Sequence, residues 1–437
     1  MRVYLLELWA VLLFLTWGSW FVMADDEELW RTWTSTAGTS IEAKVVRVGA
    51  TDVTLERRDG VKFTVGWEQL SADDQKLLAE LSLESLKSSL VSETKGNTSI
   101  ESLGATAGEI SGPILCAANS EASYFLYLPV GFHDGREWPV CFVMAAGGGK
   151  SSKSLDRYTA IADRLGIVLA LSVESKNGFA GSDAAMRSMV DDVFERVPVI
   201  EGLGMSTGMS GGGRMAYLLA EGDNRIEGVL PCGAGGGVYI EAKDFRQAVL
   251  RNSTYVYSLV GTNCFNRTGA YQTHQKLPED CRLRFFPGKH TWAKGPVLDQ
   301  GVARVLGALL EGAEHETALA LRQGYMLTML EMAGDMVEAE PWEAAYWAKY
   351  LESFPSGNQV LTERASQLRQ QVESDPRVGL AQQAERAIEQ HAGSFFEVFY
   401  TEDKKENPAR KAAAEKAAEP FSSIPHGELI LLLGEKC

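Results

Sequence analysis

The sequence predicts an α/β fold: a mostly parallel sheet with helices on both faces, preceded by a small β-barrel and followed by an α-helical region. Three observations predict it. Between residues 119 and 312, short apolar runs rich in β-branched and aromatic residues alternate with amphipathic stretches of helical length, the pattern of strands joined by crossover helices. Residues 29–81 instead hold strand-like runs in quick succession, with Arg58-Asp59-Gly60 as a hairpin turn. From Ala313 onward the pattern is almost entirely helical, punctuated by Pro341, Pro355, Pro376 and Pro408. The chain has 437 residues, 45% hydrophobic and 23% charged, an ordinary globular composition with room for more than one core.

Residues 1–24 carry one Arg, an apolar stretch broken only by Glu7, and Val22 and Ala24 at the small-residue positions before a cut. Acidic residues 25–28 follow. This is the layout of a secretory signal peptide, and it predicts an exported protein, periplasmic or extracellular. The alternative is an uncleaved membrane anchor, since the apolar run 8–23 is nearly long enough to span a bilayer. No Cys follows the cut, which argues against a bacterial lipoprotein.

Residues 25–81 form the predicted barrel, with strands at 31–35, 40–48, 52–58 and 62–67. Ser71-Ala72-Asp73-Asp74 then supplies an N-cap and first-turn acids for a short helix over 75–81. The runs RTWTSTAGTSIEAKVVRV and VTLERRDGVKFTVGWEQLSADDQ together resemble the SHD-type (Sla homology) domain, a Src-homology-3-like barrel. That resemblance implies a protein or peptide contact. Residues 82–118, rich in Ser, Thr, Gly and Glu, read as a flexible linker.

Within 119–312 the predicted strands are 123–128, 139–145, 167–173, 203–208, 226–232, 255–261 and 282–287. Amphipathic stretches at 155–165, 185–197 and 214–221 are the predicted helices between them. A GxSxG pattern occurs twice, overlapping, at Gly204-Met205-Ser206-Thr207-Gly208 and Gly208-Met209-Ser210-Gly211-Gly212. A nucleophile elbow needs a strand directly before the serine and a helix directly after it. Only Ser210 meets both conditions, because Arg214 to Ala220 is a good helix former. The Gly211 amide, at the positive end of that helix, is then a candidate oxyanion donor. The second donor is expected in the loop after the 139–145 strand, from Ala146 or Gly147.

A serine nucleophile needs a base, and the region offers His133, His274 and His290. The first two read as surface residues. His290 follows the last strand, where the order Ser, acid, His requires it. The segments TGMSGGGRMAYLLA, VGTNCFNRTGAY and FFPGKHTW are similar to the polyhydroxybutyrate-depolymerase and feruloyl-esterase branch of the α/β-hydrolases. The resemblance covers about 190 residues and implies serine ester hydrolysis, with Ser210 as nucleophile and His290 as general base.

The third triad position departs from that pattern. Cys264 stands where the family places an Asp, and no Asp or Glu lies in 262–270. Asn263 and Asn266 are the amide candidates, and Asn263 is taken as the third member. An amide orients an imidazole but does not stabilise imidazolium as a carboxylate does. No acid lies in 233–238, and Asp244 is farther along. Cys232 ends an adjacent strand on the same sheet edge as Cys264, so a Cys232–Cys264 disulfide is one expectation and a small buried hydrophobe the other. Trp292 is read either as an aromatic wall over the site or as packing.

Charge and cysteine usage exclude other classes. A net charge of −16 argues against a nucleic-acid ligand. The six cysteines are sparse and contain no CxxC pair, so neither a zinc site nor a dense disulfide framework is indicated, and no metal or organic cofactor is expected. The sequence therefore predicts an exported esterase acting on a small-molecule or polymeric ester. The alternative is a catalytically inactive binding protein or envelope scaffold using the barrel or the 313–437 helices to contact a protein partner.

Overall fold

The computed structural model describes residues 30–49, 52–92, 97–236, 254–314 and 317–384, with 386, 416 and 419. The expected signal peptide and Asp244 lie outside these residues. The chain divides into two compact units, one holding the first sheet together with 356–364, the other holding the large sheet and most of the C-terminal helices.

The first unit contains β1 (Trp30–Thr34), β2 (Ser40–Val48), β3 (Asp52–Arg57) and β4 (Lys62–Gly66), an antiparallel sheet in that order. β1, β2 and β3 put an apolar face inward, so Trp33, Ala43, Val53 and Leu55 are buried. The β3–β4 hairpin turns at Gly60, whose positive φ of 81° suits a residue without Cβ. After β4 the backbone returns to the end of β1. Ser71 N donates to Thr34 O (2.7 Å), Thr36 N donates to Gln69 O (2.9 Å), and Ser35 bridges Leu70. Helix α1 (Ala72–Ser92) then begins at a reciprocal cap, with Asp74 N donating to Ser71 Oγ and Ser71 Oγ donating to Asp74 Oδ2. The helix runs well past the expected 75–81. Leu83, Leu86 and Leu90 recur at helical spacing, and the intervening serines hid that period.

The second unit begins with a small ladder of β5 (Ser99–Ile100) and β6 (Ala105–Thr106). Its main sheet has eight strands: β7 (Ile110–Cys116), β8 (Asn119–Tyr127), β9 (Trp138–Met144), β10 (Val168–Ser172), β11 (Val199–Met209), β12 (Ile226–Cys232), β13 (Tyr255–Gly261) and β14 (Arg282–Phe286). The spatial order is β7-β8-β10-β9-β11-β12-β13-β14, with β8 antiparallel to both neighbours and the pairings from β10 to β14 parallel. The expected linker 82–118 is thus corrected: it holds the rest of α1, the β5–β6 ladder and edge strand β7. Only Ile114 and Cys116 of β7 are buried, and a register shift between Ser111 and Ile114 breaks its alternation, so the strand carried no period-two signal.

Helices α2 (Lys153–Leu165), α3 (Ser182–Arg196), α4 (Gly211–Gly222), α5 (Arg267–His274) and α6 (Pro296–Gly312) follow the strands. β9 is buried along its whole length, the mark of a central strand covered on both faces. Val140, Phe142 and Met144 pack with Met186, Met189 and Val193 of α3 and Met215 and Leu219 of α4. Helices α2 and α6 touch each other and pack on β10 and on β11 to β13 respectively. Gly301 of α6 sits so close to β12 and β13 that a Cβ there would lie 2.8 Å from Leu230 and 3.0 Å from Leu259.

The boundary expected at 313 also shifts. Helices α7 (Ala318–Asp335), α8 (Pro341–Glu352) and α9 (Gln359–Glu373) are present, but α7 and α8 belong to the same unit as the large sheet. Tyr325 Oη donates to Ala303 O of α6 (2.9 Å), and Arg284 of β14 pairs with Glu343 of α8 (2.5 Å).

Candidate active site

Ser210 occupies the single residue between the end of β11 and the start of α4, with φ 57° and ψ −116°. It is the one non-glycine with positive φ among the described residues. Such a conformation costs an L-residue of order 1–3 kcal/mol and persists only where surroundings enforce it. Here Ser210 N donates to Cys232 O of β12 (2.8 Å) and Arg214 N donates to Ser210 O (3.1 Å). The glycines on either side allow the helix to start against the sheet: a Cβ on Gly212 would lie 2.2 Å from Met144 O. Ser206, the rival motif serine, is buried within β11 and donates to Ala216 O (2.9 Å).

His290 arrives from the loop after β14, which lies along the loop after β13 through Thr262 N to Phe286 O (2.9 Å) and Asn263 N to Gly288 O (2.8 Å). Its Nε2 is 2.8 Å from Ser210 Oγ. Burial pushes the imidazole below its ordinary value of 6.5, and the charge of Arg214 adds to that. Nδ1 faces Cys264 Sγ at 3.1 Å.

The choice of Asn263 as third member is therefore corrected. Its side chain is exposed, and the adjacent Cys264, fully buried, is the residue turned toward the imidazole. Asn266 instead braces the loop, donating from Nδ2 to Gly233 O (2.8 Å) and from its backbone N to Cys264 Sγ (3.4 Å). Burial raises the Cys264 thiol above its ordinary 9.0, opposed by the Asn266 amide and by Arg267. The expected disulfide is absent: Cys232 and Cys264 are both free. Cys232 Sγ points away to the next loop, accepting from Ala293 N (3.3 Å) and donating to Thr291 O (3.7 Å).

The expected oxyanion donors come from two elements. Gly211 is the first residue of α4, and Ala146 and Gly147 are exposed in the loop after β9. Asn177, which the sequence reading missed, touches both: its backbone N donates to Ala146 O (3.0 Å), and a Cβ on Gly211 would lie 2.5 Å from Asn177 Cβ. In the sequence Asn177-Gly178 signals only a turn.

Aromatic expectations shift as well. Trp292 packs on α2, its ring 6.0 Å edge-on from Tyr158 and beneath the Arg157 guanidinium. The ring beside the imidazole is Phe265, 75% exposed, with its centroid 3.9 Å from that of His290. His133 is not a surface residue but is buried edge-on against Trp138, and His274 is half-buried at the end of α5, its imidazole pushed below the ordinary value by that burial. Among the described residues no His, Cys, Asp and Glu group is arranged to hold a metal, and no helix is long and apolar enough to cross a membrane.

The strand order, the antiparallel β8, and a strained serine between β11 and α4 define an α/β-hydrolase-type sheet. Solved structures similar to this chain include a ferulic acid esterase, 15% identical over 46% of this chain and 98% of that one, with a TM-score of 0.39. Another is the fluorophosphonate-binding serine hydrolase F of Staphylococcus aureus, 12% identical over 42% of this chain and 92% of that one, with a TM-score of 0.35. A third is Est1E from Butyrivibrio proteoclasticus, 13% identical over 41% of this chain and 91% of that one, with a TM-score of 0.35. No family model matches the sequence, and no curated protein sequence matches it.

Proposed function

We propose that the chain is an exported serine hydrolase of esterase type, cleaving a small-molecule or polymeric ester through an acyl-enzyme at Ser210. The observation that carries this reading is the 2.8 Å contact between His290 Nε2 and Ser210 Oγ at a strained strand-to-helix turn. An imidazole held below its ordinary value is neutral at neutral pH and free to accept the serine proton. Ser210 Oγ attacks the ester carbonyl carbon while its proton passes to Nε2. The amides of Gly211 and of Ala146 or Gly147 receive the developing oxyanion. Collapse of the tetrahedral species breaks the bond to the alcohol, which leaves with the proton from Nε2, and water then hydrolyses the acyl-enzyme by the same route.

One observation favours the second reading, a catalytically silent binding protein: the group facing Nδ1 is a buried thiol rather than a carboxylate. A fluorophosphonate probe separates the two. Its phosphorus should become bonded to Ser210 Oγ with loss of fluoride, and Ser210→Ala should abolish labelling. Folded protein that takes no label at neutral pH would end the enzyme reading.

The remaining chain is assigned on its sequence. Residues 1–24 carry the protein out of the cytoplasm to the periplasm or beyond. The first sheet, an SHD-type barrel by its resemblance, is a candidate contact for a protein partner, as are the C-terminal helices.

A further inference from the structure

The next inference rests on the serine-hydrolase reading and concerns the same site. Cys264 Sγ lies 3.1 Å from His290 Nδ1 and 3.4 Å from the backbone nitrogen of Asn266, which donates to it. The side chain has no exposed surface, so the sulfur has no path to a substrate carbonyl and is not itself a nucleophile. Its loop is held from several sides. Cys264 N donates to Gly261 O (2.9 Å), Arg267 N to Cys264 O (3.1 Å), Arg267 Nη1 to Thr262 O (2.9 Å), and Asn266 Nδ2 to Gly233 O (2.8 Å). A rigid loop thus delivers one sulfur to the imidazole edge opposite Ser210.

We propose that Cys264 is the positioning residue of the site, its sulfur accepting the Nδ1–H of His290 and so presenting the lone pair of Nε2 to Ser210. The opposite tautomer would point an N–H at the serine and leave it without a base. No proton passes between Cys264 and His290 in this arrangement. At neutral pH the thiol keeps its own hydrogen, because burial raises it above the ordinary 9.0. A neutral sulfur orients the ring but supplies only a dipole to the imidazolium, where a carboxylate supplies a full charge. The site is therefore geometrically complete and electrostatically weak.

Ionisation of the thiol would provide the missing charge. Among the described residues, His290 from the loop after β14 contacts Cys264, Arg267 from α5 acts on it by charge, and Cys232 at the end of β12, its sulfur turned to the next loop, is near enough for the two thiols to interact by charge. Arg267 favours the thiolate, and a second thiolate at Cys232 would oppose it. The kcat of the wild type should accordingly rise above pH 9 as Cys264 ionises. Variants at this position should lose that rise.

The test is hydrolysis of p-nitrophenyl butyrate by the full chain, with kcat and KM followed against pH for wild type, Cys264→Ser, Cys264→Ala and Cys264→Asp. The Ser variant keeps an acceptor and should stay within a few-fold of wild type at pH 7, without the alkaline rise. The Ala variant should lose about tenfold or more in kcat at unchanged KM, and the Asp variant should gain about tenfold or more at neutral pH. Circular-dichroism melts check that each variant folds, and the Ser and Ala pair decides the matter if Asp does not fold. Folded Cys264→Ala with wild-type kcat and pH profile would overturn the proposal. A wild type that neither hydrolyses the ester nor takes a fluorophosphonate would instead overturn the serine-hydrolase reading itself.

Discussion

Arg214 stands close enough to His290 for its charge to reinforce what burial begins, keeping the imidazole neutral to lower pH than a free histidine. The base form exists above the pKa, so kcat/KM should fall only as pH drops through a value below 6.5, and Arg214→Gln should move that acid limb back toward 6.5. An acid limb that Arg214→Gln leaves unmoved would remove Arg214 from the electrostatics of the site. At this scale Ser210 and His290 were legible in the sequence, because an elbow needs glycines at fixed offsets and the histidine must follow the last strand. Which residue of the intervening loop meets the imidazole was not legible. Asn263 and Cys264 are neighbours in sequence, and only the turn from Gly261 decides that the thiol points inward and the amide outward. Asn177 and Phe265 carried no signal, since neither belongs to a spacing that chemistry demands.

The start of α4 illustrates how one element is paid for in another's geometry. In an exposed helix, Gly to Ala would gain up to about 1 kcal/mol. At Gly212 the added Cβ would fall 2.2 Å from the backbone oxygen of Met144, an atom fixed in β9 that has no rotamer to change. Crowding of this kind costs about 1–3 kcal/mol, so the clash outweighs propensity and Gly212→Ala should lower the denaturant midpoint as well as activity. An unchanged or raised midpoint would mean the helix can lift off β9 at little cost. Most strands were legible to within a residue or two, since covered strands read as apolar runs such as Trp138–Met144. The exceptions are β8 and β11, which each begin four residues before their expected starts, and β7 and the later turns of α1, where Gly112 and Pro113 in the one and interspersed serines in the other weaken the apolar periodicity.

Across the second unit, the C-terminal helices behave as an extension of the sheet's core. Arg284 of β14 is held by Glu343 of α8 and by Gln300 of α6, with side-chain exposures of only 14% and 11% for the charged pair. Removing one partner of a buried pair leaves an uncompensated charge, a loss of about 3–5 kcal/mol. Glu343→Ala should therefore lower the melting temperature of the whole unit in a single transition. A helical segment that melted separately, ahead of the sheet, would restore the domain boundary expected at 313. That boundary was misread because a change from α/β alternation to continuous helix looks like a seam, whereas the Arg284 and Glu343 side chains that cross it are far apart in sequence.

Edge strand β7 contains Gly112 and Pro113, and both are exposed at its register shift. Proline has no amide hydrogen, and the shifted register turns adjoining groups out of line, so the outer row of donors and acceptors is interrupted midway. A sheet that ended in an unbroken row would offer every other copy of the chain a template for strand addition. At this edge the largest sheet therefore offers an approaching strand only a broken template.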